Sequence, residues 1–150
     1  MEVKKTLDDD RILIAGAIGI ASTVVGEIGS WILLSLGFGK YSVYQENSLI
    51  VTYNTRSIMI GFILNVLIGS IIGATVYLTT KKWGHRHIIM VSLFFTMIAW
   101  LCLEIITNAI VDKNIITSRL MSGYYNSIIN AIAHAVFKAL MIKRFIFSKM

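Results

Sequence analysis

From Ser57 to Thr80 the chain carries no charged residue; one amide, Asn65, stands among apolar and small side chains. About 20 such residues, rising 1.5 Å each along a helix, cross the hydrocarbon core of a bilayer. Three other stretches have the same character, so spans are expected at residues 12–36, 57–80, 88–111 and 120–142. The connections near 81–87 and 112–119 are short, which makes consecutive spans antiparallel neighbours. The expected fold is an all-α membrane protein, a single domain over residues 1–150, with four transmembrane helices in an up-down bundle.

Composition agrees. Only 15% of residues are charged and 56% are hydrophobic, against roughly a quarter charged in soluble domains. The mean hydropathy is +0.74. The lone cysteine, Cys102, rules out a disulfide within the chain and any zinc site needing two of its thiolates; in its apolar run it reads as a small core residue. The net charge of +6 does not point to nucleic acid, because the basic residues sit at the ends of the apolar runs.

Those basic residues also give an orientation. Lys4, Lys5, Arg11, Lys81, Lys82, Arg86, Lys138, Lys143, Arg144 and Lys149 fall on one side; Lys40, Arg56, Lys113 and Arg119 fall on the other. The positive-inside rule then puts both termini in the cytoplasm of a cell membrane. Trp31, Phe38, Tyr41, Tyr124 and Tyr125 are expected at the outer interface, and Tyr77, Trp83, Phe145 and Phe147 at the inner one. The first span is too long for a signal peptide and reads as a retained helix capped by Asp8 to Asp10. The tail "KRFIFSKM" is expected against anionic headgroups. The connection 37–56 offers no recognisable ligand site.

Polar residues inside the spans fall at intervals of four. The first span has Ala15, Gly19, Thr23 and Glu27, with Gly26 beside them; the second has Gly61, Asn65, Gly69 and Gly73; the third has Trp100, Glu104 and Asn108; the fourth has Asn126, Asn130, His134 and Lys138. Burial of apolar surface cannot hold helices together in lipid, so small residues and interhelical hydrogen bonds must do so. Gly19, Gly26, Gly61, Gly69 and Gly73 are therefore read as packing residues, and the amides as links between helices. Lys138 reads as a residue snorkelling to the inner interface.

The acids stand apart. A carboxylate near mid-bilayer costs several kcal/mol unless it is protonated, paired or facing water. Helical rise places Glu27, Asn65 and Glu104 roughly 4 to 7 Å to the outer side of the centre, and His134 roughly 5 Å to the inner side. Glu27 and Glu104 are the proton- or cation-handling candidates, with Asn65, Asn130 and His134 as relay partners. Each also has a structural reading, as a neutral group fixing helix register.

Two resemblances follow from these residues. "VVGEIGS", an acid among small residues in the first of four spans, is similar to the small multidrug resistance exporters, which implies that Glu27 binds protons or a cation in turn; the long outer connection, the second acid and the lack of proline depart from that family. "GAIGI" with "GEIG", "IGSIIGATVYLTTKKWG", Trp100 and "NAIAHAVFKAL" resemble the YqhR-like group of small four-helix membrane proteins of Firmicutes, which implies the fold and no mechanism.

No Walker loop, GxSxG elbow or HExxH is present, and His85 and His87 read as part of a basic turn. The expectation is a non-enzymatic protein without cofactor or metal, whose partners are the lipid bilayer and a second copy or membrane partner, with transport or ion handling through buried acids. A pathway is expected between protomers, meeting at the second span's glycines. The alternative is an accessory or assembly protein whose polar residues lock helices or bind a partner span.

Overall fold

The structure, a computed structural model, describes residues 2–53, 55–110 and 121–148. Among them are five helices and no strand: α1 (Glu2–Ser35), α2 (Val43–Thr52), α3 (Ile58–Trp83), α4 (Ile88–Ile110) and α5 (Met121–Ile142). A short 3-10 turn at His85–His87 joins α3 to α4, and a π turn, Lys143–Phe147, continues α5. All but α2 are long and apolar enough to cross a membrane. The connection 112–119, with Lys113 and Arg119, lies outside the described residues, as does Lys149.

Local chemistry sets the helix ends. Gly37, at φ +86°, closes α1: the Phe38 N–H reaches Leu33 O at 2.9 Å and the Gly37 N–H reaches Leu34 O at 2.9 Å, a Schellman arrangement. Ser57 caps α3 through a bond from the Ile60 N–H to its Oγ, at 3.3 Å. At the N-terminus the outcome differs from expectation. The helix already runs from Glu2, so Asp8 to Asp10 lie within it and are not its cap.

The four long helices form a ring in which α1 packs on α3 and α5, and α4 packs on the same two. Glycines set the closest crossing, between α1 and α3. A Cβ on Gly19 would overlap the Gly69 carbonyl, and one on Gly73 would overlap the Ala15 carbonyl. Gly69 lies so close to α1 that its Cβ would meet Thr23 Cγ2 at 2.6 Å. Gly69 and Gly73, expected to join protomers, are thus occupied within the chain. Gly26 differs again: a Cβ there would rest in ordinary contact with His134 Cβ at 3.6 Å.

An apolar cluster fills one end of the ring. It includes Ala15, Ile18, Val76, Tyr77, Ile88, Ala139 and Ile142, so it sits at the end carrying the α3–α4 turn. Tyr77 is fully buried there rather than placed in an interfacial belt. Its ring lies 5.9 Å from that of Phe147, which also stacks on His85 at 5.8 Å. With Ile146 buried as well, the tail packs partly onto the helices instead of only flanking them. Elsewhere large apolar side chains such as Leu13, Met59, Ile71, Met90 and Phe94 are exposed. Such surface is unusual facing water and suits a hydrocarbon solvent, which makes this a helical membrane protein by its composition and its exterior.

The connection 37–56 is not a simple loop. After α1 the chain doubles back, and α2 starts alongside Glu27 and Ser30, two turns inside the end of α1. It then packs along α3, with Gly61 pressed so closely on the Tyr44 backbone that a Cβ would overlap its carbonyl. A capping box starts α2: Ser42 Oγ accepts from the Gln45 N–H at 3.4 Å and Gln45 Oε1 from the Ser42 N–H at 3.0 Å.

Candidate functional site

The inserted start of α2 has orphan N–H groups, as every helix does. Glu27 meets them. Its Oε2 accepts from the Tyr44 N–H at 3.0 Å, and its Oε1 accepts from Trp31 Nε1 at 3.0 Å. Ser30 Oγ accepts from the Val43 N–H at 3.2 Å, and the Thr23 and Tyr44 hydroxyls share a hydrogen bond at 3.1 Å. A carboxylate at a helix N-terminus faces the positive end of the peptide dipoles. Glu27 is therefore bonded to α1 and α2, and it does not line the central cavity.

That cavity lies between the apolar cluster and α2. It measures about 80 Å³, room for a few waters. Thr23 of α1 lines it together with Glu46 and Asn47 of α2 and Asn65 of α3. From the other side come Thr96, Trp100, Glu104 and Thr107 of α4, and Ser127, Asn130 and His134 of α5. Of the residues expected to share a polar core, Glu104, Asn65, Asn130 and His134 do so. Asn108 instead is exposed, and so is Cys102, which is not the core residue its apolar run suggested.

The amides are engaged in holding elements together. Asn65 Nδ2 donates to Gly61 O at 2.8 Å, while its Oδ1 accepts from Asn47 Nδ2 at 3.1 Å, tying α3 to α2. Asn126 Nδ2 donates to Phe38 O at 2.9 Å, tying α5 to the chain leaving α1. Asn130 Nδ2 donates to Asn126 O at 2.9 Å, and its Oδ1 presses against Gly29, where a Cβ would overlap it.

Two cavity groups are in a different condition. Trp100 Nε1 and His134 Nε2 are buried without a hydrogen-bond partner among the described residues. Buried polar atoms are nearly always bonded, so both call for a polar occupant of the cavity they line. Two carboxylates face the same space: Glu104, 9% exposed, and Glu46, whose Oε2 accepts from Ser127 Oγ at 3.3 Å. Among the described residues no three His, Cys, Asp or Glu side chains are grouped as metal ligands.

Glu46, Asn47 and Gly29 carry this geometry yet escaped the sequence reading. The signal for the first two was present: Ser42 and Gln45 have the spacing of a capping box, which announces a helix in the connection and places Glu46 and Asn47 on it. Gly29 gave no such signal, because it sits off the four-residue stripe of α1. Lys138 is the largest departure. It is fully buried, and its Nζ donates to Thr96 Oγ1 at 3.1 Å instead of reaching an interface.

Against known proteins, no family model matches the chain, and no curated protein or solved structure matches it either.

Proposed function

We propose that this is a multi-pass protein of the cell membrane whose four long helices cross in alternating directions with both termini cytoplasmic, and that its central cavity takes up and passes protons. The excess of Lys and Arg at the ends assigned to the cytoplasm supports the orientation. One observation carries the functional reading: a small cavity brings two carboxylates, Glu46 and Glu104, together with a His134 Nε2 that has no hydrogen-bond partner among the described residues. Groups of this kind exchange protons when their surroundings balance charged and neutral forms. The cavity's size suits water or a small monovalent cation better than an organic substrate. It lies within one chain, so the reading needs no second copy to complete a pathway.

Trp100 reports on the cavity directly. In a protein with Trp31→Phe and Trp83→Phe, its fluorescence should titrate between about pH 5 and 9, the range a desolvated carboxyl can reach. Glu104→Gln should remove or displace that transition while the helix content stays as in the parent. An unchanged titration in both Glu104→Gln and Glu46→Gln would count against proton uptake here.

The second reading, an accessory protein whose polar groups only lock the helices, is favoured by one observation: Glu27, Asn65, Asn126 and Asn130 all bond within the chain. It predicts that Asn130→Leu disrupts assembly on a native gel while Glu46→Gln and Glu104→Gln behave as the parent.

A further inference from the structure

Among the described helices α2 alone is too short to cross a membrane, and its ten residues bury only Tyr44, Ser48 and Leu49. The rest of its attachment is polar. Thr23, Glu27 and Ser30 of α1, Asn65 of α3 and Ser127 of α5 each share a hydrogen bond with residues 43–47. Water can replace such bonds at small net cost, and the run Gln45, Glu46, Asn47, Ser48 suits a helix surrounded by water as well as one seated on protein.

Both ends of α2 carry backbone able to turn. Gly37 and Gly39, at φ +86° and +94°, lie between α1 and α2, and a Cβ on Gly37 would meet no atom within 4 Å. At the other end the exposed Tyr53 closes α2 at φ +59°, a conformation that costs an L residue energy and that departure from the seat relieves. Residues at the ends of short elements absorb the backbone change when a lid moves. What α2 covers gives that movement a purpose. Val43, Glu46 and Asn47 line the cavity at the end away from the α3–α4 turn. Deeper in, Trp100 Nε1 and His134 Nε2 are buried without a partner among the described residues. A polar occupant that satisfies them has to enter and leave, and at the opposite end the apolar cluster around Val76, Tyr77 and Ile142 bars the way.

We propose that α2 is a hinged lid on the cavity: it swings away from the bundle about Gly37 to Gly39 and Tyr53, while α1, α3, α4 and α5 keep their packing, and so opens the end that Glu46 and Asn47 now cover. The lid rests on the cavity and its wall, not on the reading that the cavity handles protons.

The test fastens the lid and reads access to the cavity. In the full chain carrying Trp31→Phe, Trp83→Phe and Cys102→Ser, Trp100 is the one indole, and acrylamide added to vesicles quenches it when the cavity is open. Asn47 and Asn65 touch across α2 and α3, with Nδ2 and Oδ1 3.1 Å apart, so Asn47→Cys with Asn65→Cys can be bridged by a short bifunctional methanethiosulfonate that dithiothreitol removes. Bridging should abolish most of the quenching and dithiothreitol should restore it. Equal quenching with and without the bridge overturns the lid. If the double variant fails to fold, Ser30→Ala decides: it removes the acceptor of the Val43 N–H and should raise quenching, and an unchanged value overturns the proposal. Dye-reported proton entry is measured on the same vesicles; quenching that falls on bridging in a protein that shows no proton flux removes the proton reading and leaves the lid standing.

Discussion

A carboxylate enclosed by helices must find either positive charge or enough donors. Glu27 finds donors: one backbone N–H from α2 and the indole of Trp31. Leaving a buried donor unsatisfied costs about 1–3 kcal/mol, so Glu27→Leu should lower the unfolding temperature in detergent measurably, and Glu27→Gln, which keeps one acceptor, should lower it less. Neighbouring glycines separate in the same way. Gly26→Ala should be tolerated, since the new methyl meets His134 in ordinary contact. Gly29→Ala should displace the Asn130 side chain and cost about 1–3 kcal/mol, as overpacking does; thermal melts of the two variants side by side check the contrast. The sequence marks Glu27 as an acid within an apolar span, where it needs a partner. It could not show that the partner is a backbone N–H seventeen residues further on, because backbone donors have no signature in side-chain pattern.

Three of the four long helices were legible to within a few residues, since length and apolarity decide them: the expected 57–80, 88–111 and 120–142 became Ile58–Trp83, Ile88–Ile110 and Met121–Ile142, whereas α1 begins at Glu2, well ahead of the expected 12–36. The short helix was not read, although Ser42 and Gln45 announced it, because hydropathy attends to twenty-residue windows and α2 has ten residues. Its insertion depends on Gly61, whose missing side chain lets the Tyr44 backbone approach. Gly61→Leu should therefore expel α2. In a Cys102→Ser background, Tyr44→Cys should react slowly with a membrane-impermeant maleimide, and adding Gly61→Leu should speed labelling at least tenfold. Equal labelling rates would mean that α2 is held by something other than this contact. Lys138 was misread at the same scale: a helix pattern gives the position of a Cα relative to an interface, whereas the tilt of the side chain and the hydroxyl of Thr96 decide where the amine goes.

Across the whole molecule the chain divides into an apolar seal at the α3–α4 turn, a polar cavity above it, and an inserted helix closing the other end. Which helices are neighbours, and which faces they turn inward, was beyond the sequence because periodicity fixes a polar stripe on each helix without pairing the stripes. The structure pairs them within one ring, bringing Glu104, His134, Asn65 and Asn130 to one cavity and assigning Glu27 to the anchoring of α2. Proton passage through this cavity, from one side of the membrane to the other, is the function we propose. Its most direct test is the rate of dye-reported proton entry into vesicles holding the parent protein or the Glu46→Gln, Glu104→Gln double variant, driven by the same imposed pH gradient. Flux should lie well above that of protein-free vesicles for the parent and at their level for a folded double variant; equal flux from the two proteins, or none from either, would contradict proton passage.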